Sequence, residues 1–419
     1  MKTRGFILMF AVLCLSNVRA QTPGPVNYDE QKVPQYRLPD VLTCADGTPV
    51  TSRRQWEHRR RGEVLQLLAE QEYGITPRSR VRMDCRVLRE NPQALGGLAT
   101  SQQVMLTFTG QGRSVQALLL AYYPNRRAGR VPVFIGYNFK GNHSLTDDEE
   151  ILYSPYFERL PNREDPELRR NNQSSRWPLA MILRRGYAVV TMCYQDIFPD
   201  RPDGDKESVT QLLPPSADND SRWQALGAWA WGYSRMADWV VRQPWANRRQ
   251  LIVMGHSRQG KAALWAGAQD KRFQVVISNN SGCGGAALSK REFGERVYEI
   301  TKSFPHWFCP AFTHYAGNEG SLPFDQHFLL ALVAPRHLYV ASAEKDRWAD
   351  PKGEYLSAYH ASRVFSLYGL QGLASPAMPP LNQPVATQVG YHIRSGGHDV
   401  TDYDWNCYMD FCDNAFGRE

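Results

Sequence analysis

Ser257 stands in the segment Gln250 to Lys261, QLIVMGHSRQGK, where its surroundings could make it a nucleophile. An alcohol attacks a carbonyl slowly at neutral pH unless a base removes its proton and a carboxylate steadies that base. The base candidate is His398, in Arg394-Ser395-Gly396-Gly397-His398-Asp399, a glycine-containing loop that directly follows an apolar stretch. His392 lies within that stretch and His337 opens an earlier one, so both read as structural. The carboxylate is expected beyond residues 337–342, where Ala343-Glu344-Lys345-Asp346-Arg347-Trp348-Ala349-Asp350 follows. A short turn after a strand favours Asp346, with Glu344 and Asp350 as ordinary loop charges. The chemistry these residues suggest is acyl transfer through a serine ester.

Such groups act together only if the chain brings them to one edge of a scaffold. Leu251-Ile252-Val253-Met254 suits a strand buried on both faces. A turn at Gly255-His256-Ser257-Arg258 follows, and then KAALWAGAQD, a good helix former. Strand, sharp turn with serine, and helix form a nucleophile elbow. Further short apolar runs, Val131 to Tyr137, Tyr187 to Cys193, Phe273 to Ser278, His337 to Ser342 and Gly390 to Ile393, alternate with helical stretches and predict a mostly parallel sheet. Ahead of them Arg80 to Leu88 suits a strand. The alternating runs 103–109 and 115–119, joined through Gly110-Gln111-Gly112, predict an antiparallel hairpin. The expected fold is therefore an α/β-hydrolase with helices on both faces, whose triad runs serine, acid, histidine, each beyond a different strand end. Residues 52–72 and the aromatic-rich stretch Trp223 to Val241 are expected to be helices, the latter packed on the sheet.

The elbow departs from G-x-S-x-G, with glycine three places after the serine instead of two. Gly255 still leaves the strand side uncrowded. The amide of Arg258 opens a helix and can point at a developing oxyanion, and its guanidinium could add a charged hydrogen bond.

Composition narrows the setting. Lys2 and Arg4, the apolar run Phe6 to Leu15 and the exit Val18-Arg19-Ala20 predict a signal peptide over 1–20, too short to span a membrane. Its loss lowers the formal charge of +7 by three, too mild and dispersed a charge for a nucleic-acid partner. The expected location is secreted or periplasmic, without a membrane span. Residues 21–419 then read as one catalytic domain with an N-terminal extension and an insertion near 139–177, expected to be a monomer. Of eight cysteines, seven follow the signal peptide, so at least one stays unpaired within the chain. No C-x-x-C pair supports a zinc site.

Several motifs together carry a family likeness: Gly255-His256-Ser257-Arg258-Gln259-Gly260-Lys261, Asn279-Asn280-Ser281-Gly282-Cys283-Gly284-Gly285, Ser303-Phe304-Pro305-His306-Trp307-Phe308, Glu344 to Pro351, and Gly396-Gly397-His398-Asp399. From Val131 to the C-terminus the chain resembles the bacterial branch of the glucuronoyl esterases. That resemblance implies a secreted serine esterase, without metal or other cofactor, acting on esters between glucuronic acid side chains of xylan and lignin alcohols. It implies Ser257 as nucleophile, His398 as base and Arg258 as oxyanion stabiliser, with Lys261, Glu295 and Trp348 contacting the uronate.

Two departures from the fungal members follow. Those carry a triad glutamate at the position of Asn280, and an amide cannot balance an imidazolium, so the acid is expected to be Asp346. They also carry cysteines at the positions of His256 and Asp399, so here packing must hold those loops together. Cys283 with Cys309, or Cys407 with Cys412, could pair. The rival expectations are an acetyl or feruloyl xylan esterase with the same triad, and a non-catalytic glycan-binding protein on this scaffold.

Overall fold

The computed structural model describes residues 24–160, 166–216 and 218–418. The signal-peptide expectation at 1–20 and part of the insertion near 139–177 fall outside these residues. Strands β1 (Arg82–Gln93), β2 (Ala99–Gly110) and β3 (Arg113–Pro124) form an antiparallel meander, the expected hairpin joined by the strand expected at Arg80 to Leu88, which runs on to Gln93. β4 (Val131–Asn138) and β5 (Ala188–Cys193) follow, then helix α1 (Ala225–Val240), β6 (Ala246–His256), helix α2 (Arg258–Gln269), β7 (Phe273–Asn279) and β8 (His337–Ala343). Helix α3 (Pro351–Ser366), the short β9 (Val385–Ala386), β10 (Val389–Arg394) and helix α4 (Asp402–Phe416) complete the elements used below.

Among the described residues the ten strands join one sheet in the order β1-β2-β3-β5-β4-β6-β7-β8-β10-β9. From β5 to β10 every neighbour is parallel. The reason is visible in the side chains: Val133, Ile135, Val190, Val253 and Val276 face one core, while Phe134, Val189, Ile252 and Ile277 face the other. Both faces are thus apolar, as a parallel sheet covered by helices requires. Each fully buried aliphatic side chain contributes about 1.5–3 kcal/mol. On α1, Trp229, Tyr233 and Trp239 are buried against the sheet, as the helical spacing predicts.

β6 begins five residues before Leu251, because its polar start, Asn247 to Gln250, continues the strand after Ala246 pairs with Val131. The possible disulfides do not form: all seven described cysteines are free. Cys407 and Cys412 share helix α4 five residues apart, so their side chains leave the helix on different sides. Cys309 donates its thiol to Glu70 O at 3.6 Å instead of meeting Cys283. Among the described residues no helix is long and apolar enough to cross a membrane.

Candidate active site

The parallel strands end along one sheet edge, and the candidate residues leave from those ends. β6 delivers Ser257, β7 delivers Asn280, β8 delivers Asp346 and Trp348, and β10 delivers His398. Ser257 sits between β6 and α2 with φ 57° and ψ −130°. Such strain costs about 1–3 kcal/mol and persists only where the surroundings over-determine it. Here the Ser257 N–H donates to Asn279 O at 2.9 Å, and Gly260 N–H donates back to Ser257 O at 2.8 Å. The unusual glycine spacing has a packing cause. A Cβ at Gly255 would lie 1.9 Å from Gln259 O, and one at Gly260 would lie 2.9 Å from Ser281 Cβ. The second glycine therefore serves the contact between α2 and the turn after β7.

His398 and Asp346 meet directly, Nδ1 to Oδ2 at 2.6 Å. Asn280, which replaces the fungal glutamate, donates from Nδ2 to the same Asp346 oxygen at 2.7 Å. Burial disfavours the charged form of Asp346, yet the hydrogen bonds from His398 and Asn280 outweigh it and hold the carboxyl below its ordinary range. The other two carboxylates of that loop are elsewhere. Glu344 is exposed, and Asp350 is buried against the Arg291 guanidinium at 2.8 Å while capping α3 through Gly353 N–H. His392 is buried between Tyr339 and Asp404, and His337 packs on Phe411, the structural positions expected of both.

Arg258 opens α2, and its guanidinium lies over Trp307, 4.7 Å from the ring centroid, and over Phe304 at 5.4 Å. It pairs with Asp200, a residue that sequence reasoning missed. Asp200 also accepts from His306 Nε2 at 2.8 Å, Trp307 Nε1 at 2.7 Å and Tyr194 OH at 2.9 Å. Burial opposes its charge, but His306, Arg258 and Trp307 prevail and lower it to about 2. Asp200 lies in the loop beyond the β5 exit, and the strand end alone does not single it out there.

Lys261 is not a solvated helix lysine. It is buried, its Nζ donates to Ser281 O and, at 2.7 Å, to Cys283 O, and it stands 3.7 Å from Glu295. The turn offering those carbonyls is braced from behind by buried Glu354, which accepts from Ser281 N–H at 2.7 Å and Gly282 N–H at 3.0 Å. Burial raises the Glu295 carboxyl, partly offset by Lys261. Glu295 N–H donates to Trp348 O at 2.9 Å, tying the two segments together. Trp348 remains 41% exposed, unusual for so large a side chain. Ser257, Arg258, Lys261, Glu295, Asp346, Trp348 and His398 all line one cleft of about 350 Å³. The structure thus brings these candidate site residues together, and the histidine side chain is 42% exposed and open to a ligand.

Removing the Asp200 charge is expected to act through Arg258. Asp200→Asn leaves one acceptor where four donors converge. If Arg258 serves the transition state, kcat falls about 10- to 100-fold with KM little changed. Steady-state kinetics check this; a raised KM with normal kcat would instead place Arg258 in ground-state binding.

A mostly parallel sheet, a serine elbow at a central strand end and a histidine–carboxylate pair facing the same cleft define an α/β-hydrolase. A family model described as glucuronyl esterase of fungi matches residues 181–369. Carbohydrate esterase MZ0003, from an unknown prokaryotic organism, is 42% identical over 95% of this chain and 94% of its own length. A 4-O-methyl-glucuronoyl methylesterase of Schizophyllum commune is 30% identical over 80% of this chain and 74% of its own. A solved glucuronoyl esterase from Solibacter usitatus superposes with TM-score 0.85 at 40% identity, covering 93% of this chain and 100% of the other. A structure described as a promiscuous CE15 esterase from a marine bacterial metagenome gives 0.86 at 41% identity over the same shares. The chain belongs to the glucuronoyl esterase family and is a carboxylic ester hydrolase.

Proposed function

We propose that this enzyme hydrolyses esters of glucuronic acid and its 4-O-methyl ether, as in links between glucuronoxylan and lignin alcohols, through a serine acyl-enzyme. Ser257 Oγ attacks the ester carbonyl carbon as His398 Nε2 takes its proton, while Asp346 steadies the imidazolium from Nδ1. The carbonyl oxygen becomes an oxyanion held by Arg258 and the backbone amide at the start of α2. Collapse breaks the bond to the alcohol oxygen, which leaves with the proton from His398. Water then gives a proton to His398 and attacks the acyl carbon. Ser257 leaves with that proton, and free uronate is released.

The observation that carries the substrate class is the polar and aromatic set of Lys261, Glu295 and Trp348 in the cleft that holds Ser257 and His398. A buried Lys261–Glu295 pair offers donors and acceptors to sugar hydroxyls, and the exposed Trp348 offers a ring face and an N–H. An acetyl group carries no ring hydroxyls and so forgoes the contacts that Lys261, Glu295 and Trp348 can add to a uronate. Hydrolysis of benzyl glucuronate is therefore expected to exceed that of acetylated xylose and of a feruloyl sugar ester by about 10²-fold or more in kcat/KM. Equal rates would support the acetyl or feruloyl xylan esterase reading. Residues 1–20 support export to the periplasm or beyond the cell. Detection of a mature N-terminus at Gln21 checks that step, and retention of residues 1–20 on the exported protein would contradict it.

A further inference from the structure

The loop that carries His398 contains adjacent glycines and half-exposes its histidine, so something must fix it. We infer that Arg394 and Asp404 are positioning residues that hold this loop in register with the nucleophile elbow through one buried polar lattice. The inference rests on the reading of His398 as the base.

Arg394 ends β10 and is buried. Its guanidinium collects the carbonyls on both sides of His398: Nη1 donates to Ser395 O at 2.9 Å, and Nη2 to Gly397 O at 3.1 Å and Asp399 O at 2.6 Å. A rigid planar fork can serve such a set of acceptors, whereas an ammonium cannot keep them all. Gly396 adopts φ +100°, a conformation that L side chains rarely take, and a Cβ there would lie 3.1 Å from Nη1.

Asp404 anchors this fork. It is fully buried, and its Oδ2 accepts from Arg394 Nε at 2.7 Å and from Thr401 N–H at 2.7 Å. Thr401 caps α4, so one carboxylate fixes both ends of the loop around His398. Its Oδ1 accepts from His392 Nε2 at 2.9 Å and Asn279 Nδ2 at 3.3 Å. Asn279 then reaches the elbow. Its backbone oxygen takes the Ser257 N–H, and its side-chain oxygen faces His256 Nδ1 at 2.5 Å. Because Asp404 can only accept, the Asn279 amide nitrogen points at it, and the amide oxygen must receive the Nδ1 proton of His256. The His256 ring packs on His398 with centroids 4.5 Å apart. Burial keeps His256 well below its ordinary range, so it is a neutral surface against the base. The chain from Arg394 to His256 therefore starts and ends at His398.

A residue that acts by aiming His398 at Asp346 loses its value once that pair is broken, whereas a merely structural residue does not. The test measures kcat, KM and thermal stability for wild type, Arg394→Lys, Asp346→Asn and the double variant on benzyl glucuronate, with His398→Ala as a control. Arg394→Lys keeps a cation beside Asp404 and is expected to fold, with kcat down about 10- to 100-fold and KM within about threefold. In the Asp346→Asn background the same change is expected to cost no more than about threefold. Wild-type kcat in Arg394→Lys, or an equal fold-loss in both backgrounds, overturns the inference and leaves His398 as base. An active His398→Ala enzyme overturns the base assignment itself.

Discussion

Ser257→Ala is expected to lower kcat on benzyl glucuronate by about 10⁴- to 10⁶-fold while the ester still binds, because only the attacking atom is removed. The elbow geometry does not depend on the hydroxyl. It is fixed by backbone hydrogen bonds from Ser257 N–H and Gly260 N–H and by the close approach of Gly255 to Gln259 O. Lys261 and Glu295 are anchored by Ser281 O, Cys283 O and the backbone of Trp348. Affinity for a product or ester analogue, measured by calorimetry, is thus expected to stay within about threefold of wild type. Retained turnover would remove Ser257 from the mechanism. A serine-directed phosphonate gives the complementary result: covalent labelling at Ser257 in the wild type argues against a glycan-binding protein on this scaffold.

Asp346→Asn is expected to cost about 10³- to 10⁴-fold in kcat. His398 Nδ1 and Asn280 Nδ2 both hydrogen-bond Oδ2 of this carboxylate. An asparagine can offer an acceptor oxygen to these two donors, but it carries no charge to balance an imidazolium. Because the carboxyl is held below its ordinary range, it stays ionised until the pH falls through that depressed value, so protonation of Asp346 does not limit activity near neutrality. Steady-state kinetics at saturating substrate check the loss. A decrease under about tenfold would hand the role to another carboxylate, although Asp350 is engaged by Arg291 and Glu344 faces solvent.

The sheet was legible because its strands are apolar on both faces, and such short runs separated by helical stretches have few other solutions. The ends of strands were less so. β6 runs through Asn247, Arg248, Arg249 and Gln250 because backbone pairing does not depend on side-chain polarity. Ser257, Asp346 and His398 could be found since each lies a few residues past a strand end, the one place where the fold lets loops differ. Asp200 could not. Its donors come from positions 194, 258, 306 and 307, and nothing in the chain order brings them together before folding. Asn280 was visible only as a missing charge. The structure gives it a positive role, as a donor that aims Asp346 at His398. The fungal cysteine positions show the same limit: His256 and Asp399 read as the loss of a tether, yet His256 packs on His398 and Asp399 pairs with Arg176 at 2.6 Å.

Ser257, the His398–Asp346 pair and Lys261, Glu295 and Trp348 line one cleft, which we propose receives a single uronate ester. A crystal structure of the Ser257→Ala protein with methyl glucuronate bound tests it most directly. The ester carbonyl carbon is expected over the position of the missing Oγ, its oxygen toward Arg258 and the α2 amide, and the ring hydroxyls on Lys261 and Glu295 beside Trp348. An ester bound with its carbonyl turned away from residue 257, or seated outside this cleft, would contradict this assignment.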